Sequence, residues 1–363
     1  MSNAGILVLN SGSTSLKFAL YSYINNQLHV VAQGGFAGMP ANATLSICNV
    51  SGAKFIDLKF SNQDNVDHEA ALKKLLTILQ DKFPDLDISY AGHRIVLGGD
   101  KYLTATKLDD ESLDYLESLS QIEPTHQYYE VMGARALAKV FHNIKQSATF
   151  DTSFHRTMPE VAEFYPVPET ITNHGVRHWG FHGISYAYIS SQLKTLFPHA
   201  KKTIVAHLGG GASLCAMQDF KSIETSMQFG AITGLPMATR SGDFPADAIF
   251  YLLKQGFYNV ESLEKELEKH SGLLGASLGL SEDMRTLETS DNEHAKKALA
   301  YFEYAVLKYI GAYTAALGGL DALIFTAGIG EHDAKFRTRI CERLTWLGIE
   351  LDYEQNQDRK SVV

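Results

Sequence analysis

Hydrophobic and polar positions change period several times along this chain, and the changes predict its elements. Residues 5–10, GILVLN, and 16–23, LKFALYSY, read as two strands, joined by the small hydroxylated stretch SGSTS at 11–15. HEAALKKLLTILQDKF at 68–83 places apolar residues at helical spacing. ISYAGHRIVLGGD at 88–100 reads as a strand breaking into a Gly-Gly loop, 110–120 and 128–142 as helices, and KQSATFDTSFH at 145–155 as a strand ending in a polar loop. The pattern then partly repeats, because TIVAHLGGGASLCAMQ at 203–218 is again strand, small-residue turn, strand. Helices are expected over 241–256, 261–270 and 292–319, and DALIFTAGIGEHD at 321–333 reads as a strand ending in a Gly-rich turn. The result is an α/β chain of two domains, 1–150 and 151–363.

Composition narrows the function classes. Of the residues, 45% are hydrophobic and 20% charged, an ordinary globular balance. A net charge of −9 argues against a general nucleic-acid or anionic-membrane binder, although a few local Arg and Lys residues can still hold an anionic substrate. The apolar stretch from Ala305 to Phe325 contains Lys308, Asp321 and several glycines, so it reads as a buried helix running into a buried strand rather than a membrane span. Cys48, Cys215 and Cys341 lie far apart without a CxxC pair and read as free thiols. No basic region followed by a signal-type apolar run opens the chain, and a cytoplasmic location is expected.

Three strands therefore end in small-residue turns, at 11–15, 209–213 and 327–330. Side chains without bulk let backbone N–H groups converge on an anion, and phosphate is the natural guest. Any one turn taken alone reads first as a tight hairpin, but three with hydroxyl or His decoration favour phosphate. None matches the P-loop or dinucleotide fingerprint. Arg94, at a strand end beside Gly-Gly, and Arg240, in MATRSGD, suit bidentate binding of carboxylate or phosphate; singly each also suits a surface ion pair. Asp151 at the end of a buried strand suits Mg²⁺ binding or orientation of a nucleophile, and equally an Asx-turn. His182 and His207 both abut glycine, where a phosphoryl group could be approached, and EDMR at 282–285 begins a candidate helix.

Together these motifs resemble the acetate kinases of the sugar kinase/Hsp70/actin superfamily. The match runs in order through VLNSGSTSLKF, GHRIVLGG, FDTSFHRTMP, HWGFHGIS, HLGGGASL, MATRSGD, SGLLG with EDMR, FTAGIGE and WLGIELD. The resemblance implies an actin-like fold, two α/β domains with a nucleotide cleft between them, and reversible Mg²⁺-dependent transfer of the ATP γ-phosphoryl group to acetate. It also implies a homodimer. By position, Asn10 would help place the metal and phosphates and Lys17 would contact nucleotide phosphate. Arg94 would hold the substrate carboxylate, in an acyl pocket including Val96 and Phe181. Asp151 would be the catalytic acid/base or metal-orienting group, with His182 and Arg240 stabilising the transferring phosphoryl group. His207, Leu208, Gly209, Gly210 and Gly211 would wrap phosphates. Asp283, Met284 and Arg285, with Gly328, Ile329, Gly330 and Glu331, would frame the adenosine.

The sequence also departs from that pattern. The family's C-terminal strand with a TNEE-like acidic pair, one glutamate of which is a magnesium ligand, is not found in it. The family's Asn in the second phosphate turn is Gly210, and two pocket positions commonly Leu and Pro are Thr125 and Ala231. A roomier or more polar pocket keeps propionate or another short carboxylate open as acceptor, and the missing acidic pair keeps open a nucleotide-binding form with little turnover.

Overall fold

The computed structural model describes residues 3–358, and the chain divides into two compact units, Met1–Ser153 and Phe154–Val363. In the first unit β1 (Asn3–Gly12) and β2 (Ser15–Ile24) form a hairpin whose Gly12 pairs with Ser15, so the expected five-residue turn closes to Ser13-Thr14. The polar edge of that hairpin brings Asn10 and Lys17 directly opposite each other. Beyond them lie β3 (Gln27–Ala37), β4 (Thr44–Cys48) and β5 (Lys54–Lys59), an antiparallel extension the sequence pattern leaves unread. β6 (Leu86–Ile95) pairs parallel to β1, the two-residue β7 (Thr106–Lys107) lies at the far edge, and β8 (Lys145–Phe150) pairs parallel to β6. The sheet order is β5-β4-β3-β2-β1-β6-β8-β7.

Leu7, Leu9, Leu16, Phe18 and Leu20 of the hairpin are buried with Leu72, Leu75 and Leu79 of α1 (His68–Lys82). At about 1.5–3 kcal/mol for each large side chain fully buried, this layer is the main source of the unit's stability. Asp67 caps α1 by accepting the Ala70 amide, so the helix begins where the sequence pattern expects it. α2 (Asp110–Ser118) and α3 (Gln127–Val140) pack on a second apolar cluster of Ile95, Leu113, Leu116, Val131 and Phe150. This cluster lies beneath the carboxyl ends of β6 and β8, where Arg94 and Asp151 emerge.

The second unit repeats the motif in smaller form. β9 (Lys202–Leu208) and β10 (Ala212–Gln218) make the hairpin, β11 (Lys221–Thr225) extends it, and β12 (Ala322–Thr326) pairs parallel to β9, in the order β11-β10-β9-β12. The helices are the short α4 (Glu160–Glu163) and α5 (Glu169–Thr172), α6 (Gly183–Leu196), α7 (Ala246–Lys254), α8 (Val260–Lys269), α9 (Gly272–Ala276), α10 (Met284–Glu288), α11 (Glu293–Leu317), α12 (Ala327–His332) and α13 (Ala334–Glu342). Two expectations change. The helix expected over 241–256 starts only at Ala246, because Pro245 holds an extended backbone at its N-cap. The Gly-rich segment after β12 is not a turn: Ala327 takes φ 65° and the chain enters α12 at once. All three cysteines are free. Among the described residues no helix is long and apolar enough to cross a membrane.

Candidate active site

In the first unit the parallel pairing of β6 with β8 sets Arg94 beside Thr149, one residue short of the strand ends. Backbone bonds continue past the strands, from the Asp151 amide to the Ile95 carbonyl (3.2 Å) and from the Thr152 amide to the Val96 carbonyl (3.2 Å). Asp151 is thereby held against Arg94. The guanidinium donates from Nε to Asp151 Oδ1 (3.1 Å) and from Nη2 to Oδ2 (2.7 Å), a bidentate pair. Its Nη1 reaches Glu130 Oε1 (3.2 Å) and Asn10 Oδ1 (3.4 Å). Both carboxylates are buried, whereas the Arg94 side chain keeps 29% exposure, so the cation is anchored from behind and still reachable. Burial works against the Arg94 charge, but Asp151, then Glu130 and Glu123, hold its pKa above the ordinary value.

Glu130 is a participant that the sequence reading missed. It lies in α3, and its Oε2 accepts the Val96 amide (2.7 Å). One turn earlier Gln127 accepts the Leu97 amide (2.9 Å) and donates to the Leu97 and Leu116 carbonyls. The signal was present: Gln127 and Glu130 share the helix face of Val131 and Ala134, which is otherwise apolar. Burial pushes the Glu130 carboxyl up to about 8, against the pull of Arg94. A second small network precedes α3, where Glu123 Oε1 accepts from the Thr125 hydroxyl and lies 3.0 Å from His126 Nδ1. Thr125, expected in the acyl pocket, is thus already hydrogen-bonded. Lys17 is exposed on β2 opposite Asn10. Ser11 Oγ is buried without a hydrogen-bond partner and faces Gly133 of α3, where a Cβ would come within 2.3 Å of it.

In the second unit His182, Gly211 and Arg240 come together. His182 caps α6 in the left-handed region at φ 59°, a conformation that costs a non-glycine residue of order 1–3 kcal/mol and aims its ring. Its Nδ1 lies 2.8 Å from Ser213 Oγ, and the Tyr186 hydroxyl lies 2.5 Å from the same oxygen. The His182 and His207 rings stack at 4.2 Å, and His207 Nδ1 lies 2.9 Å from Ser185 Oγ. A Cβ at Gly211 would stand 3.3 Å from His182 Nε2 and 4.0 Å from Arg240 Nη1, so both side chains lie over the 209–211 turn. Arg240 Nη1 donates to the Ala231 carbonyl (3.3 Å). The parallel register sets Thr326 beside His207, which brings the start of α12, with Gly328 to Glu331, next to the same turn. Gly209 is close enough that a Cβ there would meet Ala327 Cβ at 3.6 Å.

Asp283 and Arg285 form a separate group. Asp283 caps α10 through the Arg285 amide (2.9 Å) and accepts Arg285 Nε (3.0 Å) and Nη2 (2.5 Å), which together hold its carboxyl down at about 2. Met284 is buried beside them. Val96 and Phe181 are buried in their own units, and the Phe181 carbonyl lies 2.9 Å from His155 Nε2. Among the described residues no three His, Cys, Asp or Glu side chains assemble as cation ligands. Asn10 offers an amide oxygen, which suits a cation carried mainly by nucleotide phosphates and water.

Residues 5–363 match the model of the acetokinase family. The acetate kinase of Rhodopseudomonas palustris (strain TIE-1) is 39% identical over 356 residues, covering 97% of this chain and 89% of that protein. The acetate kinase of Methylocella silvestris is 37% identical, covering 99% and 91%. Among solved structures, Porphyromonas gingivalis acetate kinase aligns with TM-score 0.86 and 33% identity over 98% of this chain and 90% of that one. A propionate kinase from Francisella tularensis subsp. tularensis SCHU S4 aligns with TM-score 0.90 and 33% identity over 98% and 91%. Fold and relatives define a phosphotransferase with a carboxyl group as acceptor, on the actin-like α/β fold. The chain belongs to the acetokinase family.

Proposed function

We propose that this chain catalyses the reversible transfer of the γ-phosphoryl group of ATP to acetate, giving acetyl phosphate and ADP. The observation that carries the reading is Arg94, gripped by two buried carboxylates yet still reachable, at the carboxyl ends of parallel strands. An acceptor carboxylate is already ionised near pH 7, since such acids have pKa values of about 4. The chemistry therefore needs little base catalysis. It needs two anions brought together and negative charge spread over the phosphoryl oxygens.

In this reading Arg94 binds the acceptor carboxylate and Val96 and Phe181 enclose its methyl group. Asp151 fixes Arg94 and orients the acceptor, and His182 and Arg240 donate to the phosphoryl oxygens. Lys17 and the 207–211 turn hold the nucleotide phosphates, while Asp283 to Arg285 and Gly328 to Glu331 frame the adenosine. Asn10 would help hold a Mg²⁺ carried by the nucleotide, and that ion would supply neutralisation of the phosphate charge. The test is acetate-dependent ADP release with hydroxylamine trapping of acyl phosphate. Turnover that disappears in Arg94→Ala supports the reading; ADP binding with no acyl phosphate from the wild-type chain refutes it.

Propionate is a second acceptor reading, favoured by Ala231 and Thr125 where bulkier apolar residues would narrow the pocket. It predicts kcat/KM for propionate above that for acetate. We also propose a cytoplasmic homodimer. The support for the dimer is α7, which has no fully buried residue and exposes Phe250 and Tyr251, next to exposed Phe257 and Val260.

A further inference from the structure

A guanidinium carries five N–H donors, and at Arg94 most are committed. Asp151 takes Nε and one hydrogen of Nη2, while Nη1 reaches Glu130 Oε1 and Asn10 Oδ1. A carboxylate approaching the end of the fork takes one donor from Nη2 and one from Nη1. Nη1 already donates to Glu130 at 3.2 Å and, at the longer distance of 3.4 Å, to Asn10. We propose that Glu130 is a positioning residue that competes with the acceptor carboxylate for Nη1 of Arg94, so that the acceptor binds while Glu130 carries a proton. This rests on the reading of Arg94 as the acceptor's anchor.

Charge counting gives the reason. The Arg94 guanidinium faces two buried carboxyl groups, Asp151 and Glu130, with Glu123 also within their field. An acceptor anion adds another negative charge in a poorly solvated place, where like charges at short range force one group to take up a proton. Geometry selects Glu130. Asp151 holds two hydrogen bonds to the cation, one of 2.7 Å, whereas Glu130 holds a single one of 3.2 Å and its side chain is fully buried. The groups facing Glu130 are Arg94 from β6, Asp151 after β8, Glu123 ahead of α3, and the Val96 amide. Burial raises its pKa most, Asp151 and Glu123 add to that, and Arg94 and the amide oppose it. An arriving anion raises it further, so anion and proton each strengthen the binding of the other.

The experiment measures acetate KM and kcat from pH 7 to 9.5, and proton uptake on acetate binding by titration calorimetry in buffers of different ionisation enthalpy. Wild type, Glu130→Gln, Glu130→Asp and Arg94→Ala are compared. The expected result is a wild-type KM that rises with pH above about 8, approaching about tenfold per pH unit, with kcat changing less and with net proton uptake on binding. Glu130→Gln flattens the KM profile and abolishes the uptake; Glu130→Asp keeps the pH dependence with a displaced midpoint. A flat wild-type profile without uptake, or an unchanged slope in Glu130→Gln, overturns the proposal. If Glu130→Gln does not fold, wild-type uptake and the Glu130→Asp profile decide. Arg94→Ala separates the two failures: an unchanged acetate KM refutes the anchor itself, whereas a raised KM beside a flat wild-type profile refutes only the role of Glu130.

Discussion

Arg94 and Asp151 meet edge to edge through two hydrogen bonds, from residues 57 positions apart in sequence. The pairing exists because β6 and β8 run parallel and end together. Lysine at position 94 keeps the charge but not the fork. Arg94→Lys should cut kcat/KM for acetate by roughly 10²-fold, the loss of one or two charge-assisted bonds, with ADP affinity little changed. Arg94→Ala should in addition destabilise the first unit by about 3–5 kcal/mol, because it takes the paired guanidinium away from the buried Asp151 carboxylate. Steady-state kinetics and urea unfolding measure the two effects separately.

Arg240 and His182 flank the 209–211 turn. If Arg240 stabilises the transferring phosphoryl group, Arg240→Ala should lower kcat on the order of 10³-fold with a smaller change in ADP dissociation constant. A loss confined to ADP affinity would assign Arg240 to ground-state binding instead.

Gly133 sits in the middle of α3, where alanine would ordinarily gain up to about 1 kcal/mol of helix propensity. Here a Cβ would meet Ser11 Oγ at 2.3 Å and Ser11 Cβ at 2.9 Å. Gly133→Ala should therefore destabilise, by about 1–3 kcal/mol, and raise the KM for ATP by displacing the hairpin turn. Ser11→Ala removes a buried hydroxyl that has no hydrogen-bond partner, so its stability cost should stay below about 1 kcal/mol. Thermal melts of the two variants check the contrast.

Two buried groups impose opposite pH slopes on stability. Burial holds the His93 imidazole down at about 4, with its hydrogen bond to Gln146 pulling the other way. Between about 6.5 and 4 the unfolded chain binds this proton and the folded chain does not, so stability falls as pH falls through that window, by about 3 kcal/mol in full. Glu130, pushed up to about 8, is the reverse: the folded chain holds its proton between about 4.5 and 8, so stability falls as pH rises there. His93→Asn should flatten the acid limb of a stability–pH curve, and Glu130→Gln the limb above 4.5. A curve with the same acid limb in wild type and His93→Asn would exclude His93 as its source.

The homodimer reading predicts that Phe250→Asp on the exposed face of α7 yields a monomer in light scattering, with secondary structure intact. A wild-type chain that is already monomeric at micromolar concentration would overturn it.

The alternating apolar residues of β1 and β2, the continuous apolar runs of β9 and β10 and the helical spacing of α1 and α11 are local patterns, and local pattern is what a sequence displays. For the same reason nine ordered motifs were enough to point to the family, and to Arg94, Asp151, His182 and Arg240 as residues of interest. Other features were not legible. β3 to β5 become strands because they extend a hairpin edge, and that pairing is nonlocal. The segment after β12 looked like a turn because its glycines break helical propensity, yet the backbone enters α12 through a single left-handed residue, Ala327. Glu130 could be seen as a polar residue on an apolar helix face, but not as the second carboxylate on Arg94. That contact depends on α3 lying against the ends of β6 and β8. Spacing along the chain determines which side chains share a face. Only packing decides which faces meet, because the burial and desolvation that set the charge state of Glu130 come from residues distant in sequence.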